Sequence, residues 1–262
     1  MSKDKIYFIS DLHLGLHPAE KSLEREKLVR NWLDEIMPHA KELYLMGDIF
    51  DFWHEYKHVV PRGFTRFLGK LSELADDGTK LYFFSGNHDV WAYEYFKTEL
   101  GAEIFHKPIV KELFKKKFFL AHGDGLGPGD FGYKLLIGTF RNKILQWMFA
   151  RLHPNFALWL GKTWSKHSRY AKGIVAEEFA GEEGELQIKF AKETLKKEHY
   201  DFFIFGHRHI PYDIQLGEKA RVINLGDWIY SFTYGQLDEK GFELKQYKDN
   251  GANIIRQQYS LD

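Results

Sequence analysis

The chain has 262 residues, with 37 Lys or Arg against 37 Asp or Glu and no cysteine. That length fits one large domain, or one domain carrying an insertion; a balanced charge excludes any inference from bulk charge to a partner, and the absence of cysteine excludes disulfides and thiolate metal sites. An apolar share of 44% can fill a core, the apolar start before Asp11 is too short for a secretory signal, and no uninterrupted apolar run reaches the ~18 residues of a membrane span.

Taken in chain order, apolar runs predict a buried strand at 6–9, then a helix over 20–37 in which Leu28, Trp32 and Ile36 recur four apart behind Pro18. A strand at 43–46 follows, then a helix over 64–75 with Phe64, Phe67, Leu68, Leu71 and Ala75 on one face, stopped by Gly78. Further strands are predicted at 81–84 and 118–121, a helix at 185–198 and a strand at 202–205. The end of the chain reads as strands at 221–225, 231–237 and 242–247, the last two joined by a hairpin at Asp238-Glu239-Lys240-Gly241. Strands alternating with helices and finishing antiparallel predict an α/β protein with mixed sheets.

Residues 131–176 break the pattern, with eight Lys or Arg and no Asp or Glu, interleaved with Leu135, Ile137, Phe140, Ile144, Trp147, Met148, Phe156, Trp159 and Trp164. This stretch predicts two or three amphipathic helices, split near Pro154 and inserted into the main domain. The expected division is a catalytic domain of residues 1–126 and 177–262, with a basic, aromatic helical cap at 127–176.

Five predicted strands run into polar tails: Asp11-Leu12-His13, Gly47-Asp48, Gly86-Asn87-His88-Asp89, His122-Gly123-Asp124 and Gly206-His207-Arg208-His209. Ligands of layered α/β proteins lie beyond the carboxyl ends of the strands, so these tails are placed to converge. Carboxylate, imidazole and amide oxygen suit manganese, iron or zinc, and a carboxylate such as Asp48 can bridge two cations about 3.5–4 Å apart. An Asp after a strand is by itself usually a turn residue or helix cap, and a lone His usually a satisfied surface or core residue. The co-occurrence of five such tails makes the metal site the stronger reading. Asp51 reads as a hydrogen-bonding group behind the ligands, His17 and His54 as candidates for the rim, and Asp227 and Trp228 as candidates for the edge.

This ordered set resembles the calcineurin-like metallophosphoesterase superfamily, which implies two packed mixed β-sheets flanked by helices. The resemblance implies one metal on Asp11, His13, Asp48 and His209 and a second on Asp48, Asn87, His122 and His207. It also implies that His88 stabilises the transition state or protonates the leaving oxygen, with Asp89 as its orienting partner.

A cap directly after His-Gly-Asp, free of acids from residue 131 on, is similar to that of one branch, the UDP-2,3-diacylglucosamine pyrophosphatases of lipid A biosynthesis. The branch implies cleavage to UMP and 2,3-diacylglucosamine 1-phosphate, two divalent cations that are usually Mn²⁺, and peripheral association with the cytoplasmic face of the inner membrane. Asp130, Tyr133 and Ser168 would then contact the substrate, with Arg169 and Lys172 as further basic candidates. One departure stands out: better-known members of the branch carry Arg where this chain has His88. The alternatives are a phosphodiesterase of nucleic acid or cyclic nucleotides, against which the aliphatic clusters of the cap argue, and a binding module that has lost catalysis, against which the full set of ligand types argues. The sequence leaves self-association open.

Overall fold

A computed structural model describes residues 3–126, 131–172 and 178–261, without the side chains of 131–133 and 167–172. The chain runs β1 (Lys5–Ile9), α1 (Ala19–Ile36), β2 (Ala40–Leu45), α2 (Thr65–Asp76), β3 (Lys80–Phe84), α3 (Tyr95–Leu100), β4 (Glu103–Phe105), β5 (Ile109–Leu113) and β6 (Lys116–Leu120). Then come α4 (Phe131–Arg141), α5 (Lys143–Phe149), α6 (Pro154–Lys172), α7 (Gly181–Gly184) and α8 (Leu186–Leu195). It closes with β7 (Phe202–Phe205), β8 (Pro211–Leu216), β9 (Ala220–Leu225), β10 (Thr233–Asp238), β11 (Gly241–Gln246) and β12 (Ile255–Tyr259).

Two six-stranded sheets form, in the orders β11-β10-β1-β2-β3-β4 and β12-β8-β9-β7-β6-β5. In the first, β1 to β4 pair in parallel while β10 and β11 add antiparallel. In the second, β6, β7 and β9 are parallel neighbours. The α/β class with two packed mixed sheets and flanking helices is therefore the fold.

The strands read as continuous apolar runs because both faces of each sheet are covered. Alternate residues of β1 divide between two cores. Ile6 and Phe8 enter the layer between the sheets with Tyr44, Phe84, Phe118, Ile204 and Leu225. Tyr7 and Ile9 face outward onto Val29, Trp32 and Leu33 of α1 and Phe67 and Leu71 of α2. Phe203, Phe205 and Val222 of the second sheet meet Ile188 and Ala191 of α8. Phe8, fully buried, stacks on Tyr44 with centroids 4.8 Å apart; truncating a ring so placed costs about 3–5 kcal/mol.

The acid-free stretch forms α4, α5 and α6, and α6 starts on Pro154, whose ring suits the first helical position. These helices rest on Phe52, Val90 and Trp91 through Phe140, Phe149 and Leu158. Trp91 Nε1 also donates to the carbonyl of Phe140 at 3.0 Å. Among the described residues no helix is long and apolar enough to cross a membrane.

Candidate active site

The parallel strands of both sheets end on the same side, and their tails are stitched together there. Backbone N–H groups of Asp11 and His13 donate to the carbonyls of Gly47 and Asp48 at 3.1 and 3.0 Å, so the tails of β1 and β2 continue side by side. Across the sheets, the N–H of His207 donates to Asp11 Oδ2 at 2.9 Å, and His122 Nδ1 donates to the carbonyl of Met46 at 2.9 Å. The N–H of His88 donates to Asp48 Oδ1 at 2.8 Å. Gly86 makes that approach possible, since a Cβ there would overlap the Asp48 carboxylate and backbone.

Three groups of ligand-type side chains result among the described residues, one of them His13, Asp51 and His88. Asp11, His13 and His209 present ligand-type atoms to one another, and so do Asp48, His122 and His207. Asp48 lies between them, its Oδ2 3.8 Å from His13 Nε2 and 3.4 Å from His122 Nε2. A carbonyl only accepts, so His122 carries a proton on Nδ1 toward Met46 and leaves Nε2 facing the site, where burial opposes charging the ring but Asp48 and Asp11 outweigh it and push it well above the usual imidazole range. His209 is held likewise, Nδ1 donating to Asp227 Oδ2 at 3.1 Å, and its Nε2 stands 3.2 Å from His13 Nε2 and 3.4 Å from Asp11 Oδ1. Arg208, between the two histidines, turns aside to a bidentate pair with Glu185 at 2.9 and 3.0 Å.

This arrangement suits divalent cations. Asp11 Oδ1, Asn87 Oδ1 and His122 Nε2 are buried without a hydrogen bond, an expensive state for polar atoms unless a cation satisfies them. Burial pushes the Asp11 carboxyl up against the pull of His209 and His122. At Asp48 burial also opposes ionisation, yet His122, His88 and His13 outweigh it and hold that carboxyl well below the usual range. The backbone is strained at the same residues: Asp11, His13, Asp48, His207 and His209 have φ of 54°, 42°, 52°, 71° and 55°. Left-handed conformations of non-glycine residues cost about 1–3 kcal/mol each and persist where function over-determines them.

His88 Nδ1 lies 2.9 Å from the carbonyl of Asp51 and 3.3 Å from Ser165 Oγ on α6. Asp89, expected to orient His88, is engaged elsewhere: its carboxylate accepts from the N–H groups of Gly86 at 2.7 Å and Ile49 at 2.8 Å, tying the tails of β2 and β3 together. Burial and the neighbouring Asp48 charge push the Asp89 carboxyl up.

Asp51 lies behind His13, its Oδ1 3.8 Å from Nδ1. His54 is not at the rim but is buried against Tyr56, Trp91 and Phe149, and His17 is exposed. Asp130, and the side chains of Tyr133, Ser168, Arg169 and Lys172, lie outside the described residues. Sequence reasoning missed Ser165, a serine in an amphipathic helix with nothing local to mark it. It also overlooked Gln187 on α8, which donates to the carbonyl of Gly206 at 2.9 Å and so steadies the His207 tail.

These features define a class. A family model for calcineurin-like phosphoesterases matches residues 4–211, and the chain belongs to that family, as a metal-dependent hydrolase. Within it, the chain is 40% identical over 259 residues to the UDP-2,3-diacylglucosamine hydrolase of Porphyromonas gingivalis, across 94% of this chain and 99% of that one. It is 29% identical over 254 residues to the UDP-2,3-diacylglucosamine hydrolase of Hahella chejuensis, across 92% and 96%. Among solved structures, the phosphoesterase Yfce from E. coli aligns over 96% of each chain with a TM-score of 0.43 and 19% identity.

Proposed function

We propose that the chain hydrolyses the pyrophosphate bond of UDP-2,3-diacylglucosamine, releasing UMP and 2,3-diacylglucosamine 1-phosphate. The near-full-length similarity to the P. gingivalis hydrolase carries this reading. It is supported by the buried, unsatisfied ligand atoms at the joined strand ends.

Asp11, His13, Asp48 and His209 would hold one divalent cation, and Asp48, Asn87, His122 and His207 the other. When bound, such a pair supplies Lewis-acid polarisation of a phosphoryl group and lowers the pKa of water. Mn²⁺ is the metal we assign, in keeping with the mixture of carboxylate, amide and imidazole. The protein's own part is to fix the donors before substrate arrives. Met46 and Asp227 set the tautomers of His122 and His209. His88, with Nδ1 engaged, keeps Nε2 for the leaving oxygen, as hydrogen-bond donor or acid.

The cap would recognise the lipid. Leu135, Ile144, Trp147, Phe156, Trp159 and Trp164 are exposed on helices without an acidic residue, and Lys134, Arg141, Lys143 and Arg151 accompany them. Such a surface suits acyl chains and the anionic cytoplasmic face of a membrane, on which the protein would lie peripherally. Asp130, Tyr133, Ser168, Arg169 and Lys172 remain our candidates for the sugar and phosphate. The deciding experiment is UMP release from UDP-2,3-diacylglucosamine with and without Mn²⁺. Release that requires the metal is expected; turnover of single-stranded DNA or cyclic nucleotide in its place would overturn the substrate.

A further inference from the structure

One side chain of the cap reaches the reacting centre. Ala157, Gly161 and Ser165 recur every fourth residue of α6 and so share a helix face. Ala157 is fully buried and Ser165 nearly so. A Cβ at Gly161 would overlap the ring of Phe52, so the helix backbone itself lies on that ring. One turn beyond this contact, Ser165 Oγ stands 3.1 Å from Asp51 Oδ2 and 3.3 Å from His88 Nδ1.

Donor and acceptor chemistry orders these three groups. The carbonyl of Asp51, 2.9 Å from His88 Nδ1, only accepts, so that nitrogen carries a proton. The Asp51 carboxylate also only accepts, so Ser165 donates its hydroxyl proton there and turns a lone pair to the same Nδ1–H. His88 is thereby held at one nitrogen by two oxygens, one from the tail of β2 and one from the cap. The other oxygen of Asp51 lies 3.8 Å from His13 Nδ1, so the same carboxylate links the cap to a proposed metal ligand.

We infer that Ser165 is a positioning residue: docking of α6 on Phe52 delivers a hydroxyl that, with Asp51, holds the His88 ring by its Nδ1–H and so fixes the direction in which Nε2 faces. The cap then does more than bind substrate, because the acid is correctly held only when the cap is seated. This inference rests on the reading of His88 as the group that serves the leaving oxygen.

The test compares Ser165→Ala, Ser165→Thr, His88→Ala and the Ser165→Ala/His88→Ala double variant. Each is assayed on UDP-2,3-diacylglucosamine and on bis-p-nitrophenyl phosphate, with ¹⁵N spectra of the histidine rings recorded on zinc-loaded protein. Losing one hydrogen bond to the acid should lower kcat about tenfold on both substrates with little change in KM. The hydroxyl of Ser165→Thr should restore most of the rate. In the spectra, the Nδ1–H resonance of His88 should shift in Ser165→Ala as that N–H loses one of its two acceptors, a change that a serine acting only in helix packing would not cause. The double variant should be no slower than His88→Ala. Unchanged kcat and ¹⁵N pattern in Ser165→Ala, beside a costly His88→Ala, would overturn this inference alone, as would an equal further loss in the double variant. A His88→Ala enzyme with full kcat would remove the acid and this inference together.

Discussion

His122 and His209 come from different strands and solve the same problem. Each spends Nδ1 on an oxygen, from Met46 or Asp227, and each is left with Nε2 facing a carboxylate oxygen 3.4 Å away. A cation between each nitrogen and its carboxylate would satisfy both partners, in keeping with the proposed metal assignment. Asp48 takes part in both, so Asp48→Ala should abolish both metal stoichiometry and activity, while Asn87→Ala should keep the cation on Asp11, His13 and His209; metal analysis of the purified variants checks this. A buried titratable group away from the metals acts on stability instead. His54 has neither ring nitrogen hydrogen-bonded, and burial pushes it down to about 4. Between pH 6.5 and 4 the unfolded chain therefore binds a proton that the folded chain refuses, and stability falls as pH falls. His54→Phe, which suits the cluster of Tyr56, Trp91 and Phe149, should remove that loss. Urea denaturation at pH 7.5 and pH 5 should show the parent losing about 2 kcal/mol more than the variant.

At the scale of elements, legibility follows how local the cause is. Strands β1, β2, β3, β6 and β7 are apolar on both faces because they lie inside four layers, and their runs are plain in the sequence. β8 and β12 are not: Tyr212, Ile214 and Leu216 alternate with half-buried Asp213 and Gln215, and β12 is largely exposed and finds its place only by pairing with β8. The five polar tails that converge could be read because each adjoins its strand in the chain. Asp227 and Ser165 owe their roles to partners 18 and 77 residues away, His209 and His88, so only folding brings those roles out. The cap helices were legible by composition, although their inner face, seated on Phe52 and Trp91, is a tertiary fact. Their outer face yields a prediction. Trp147 and Trp159 are each 59% exposed, so a Trp147→Ser/Trp159→Ser variant should melt where the parent does. It should also bind phosphatidylglycerol vesicles more weakly and show a raised KM for the diacylated substrate, since each indole that enters an apolar phase contributes about 1.5–3 kcal/mol. Cosedimentation and steady-state kinetics measure both, and a fall in melting temperature would instead assign that face to packing.

Across the whole molecule, the site is the seam between the sheets. Asp11, His13, Asp48, Asn87 and His88 follow strands of the first sheet, and His122, His207 and His209 follow strands of the second. Between these tails the interlayer core of Phe8, Tyr44, Phe118 and Ile204 holds the sheets together by apolar burial, while the polar end of the sandwich is tied across by hydrogen bonds such as His207 to Asp11 and His122 to Met46. On the proposed assignment each cation takes ligands from both sheets: Asp11, His13 and Asp48 with His209, and Asp48 and Asn87 with His122 and His207. Bound metal is thus a clamp across the seam, and it stabilises only the folded chain, by about 2.7 kcal/mol per site at a hundredfold excess over Kd. Removing it returns Asp11 Oδ1, Asn87 Oδ1 and His122 Nε2 to a buried, unsatisfied state. With two sites emptied, chelation should therefore lower the melting temperature by roughly 10–20 °C, given about 2–4 °C per kcal/mol for a chain near this size. Restoring Mn²⁺ should reverse the shift in the parent and should leave Asp48→Ala almost unmoved. Calorimetry in the presence and absence of chelator measures the difference. Equal melting temperatures for the parent in both conditions would mean that the seam is held without metal and that the unsatisfied atoms of Asp11, Asn87 and His122 have found another partner.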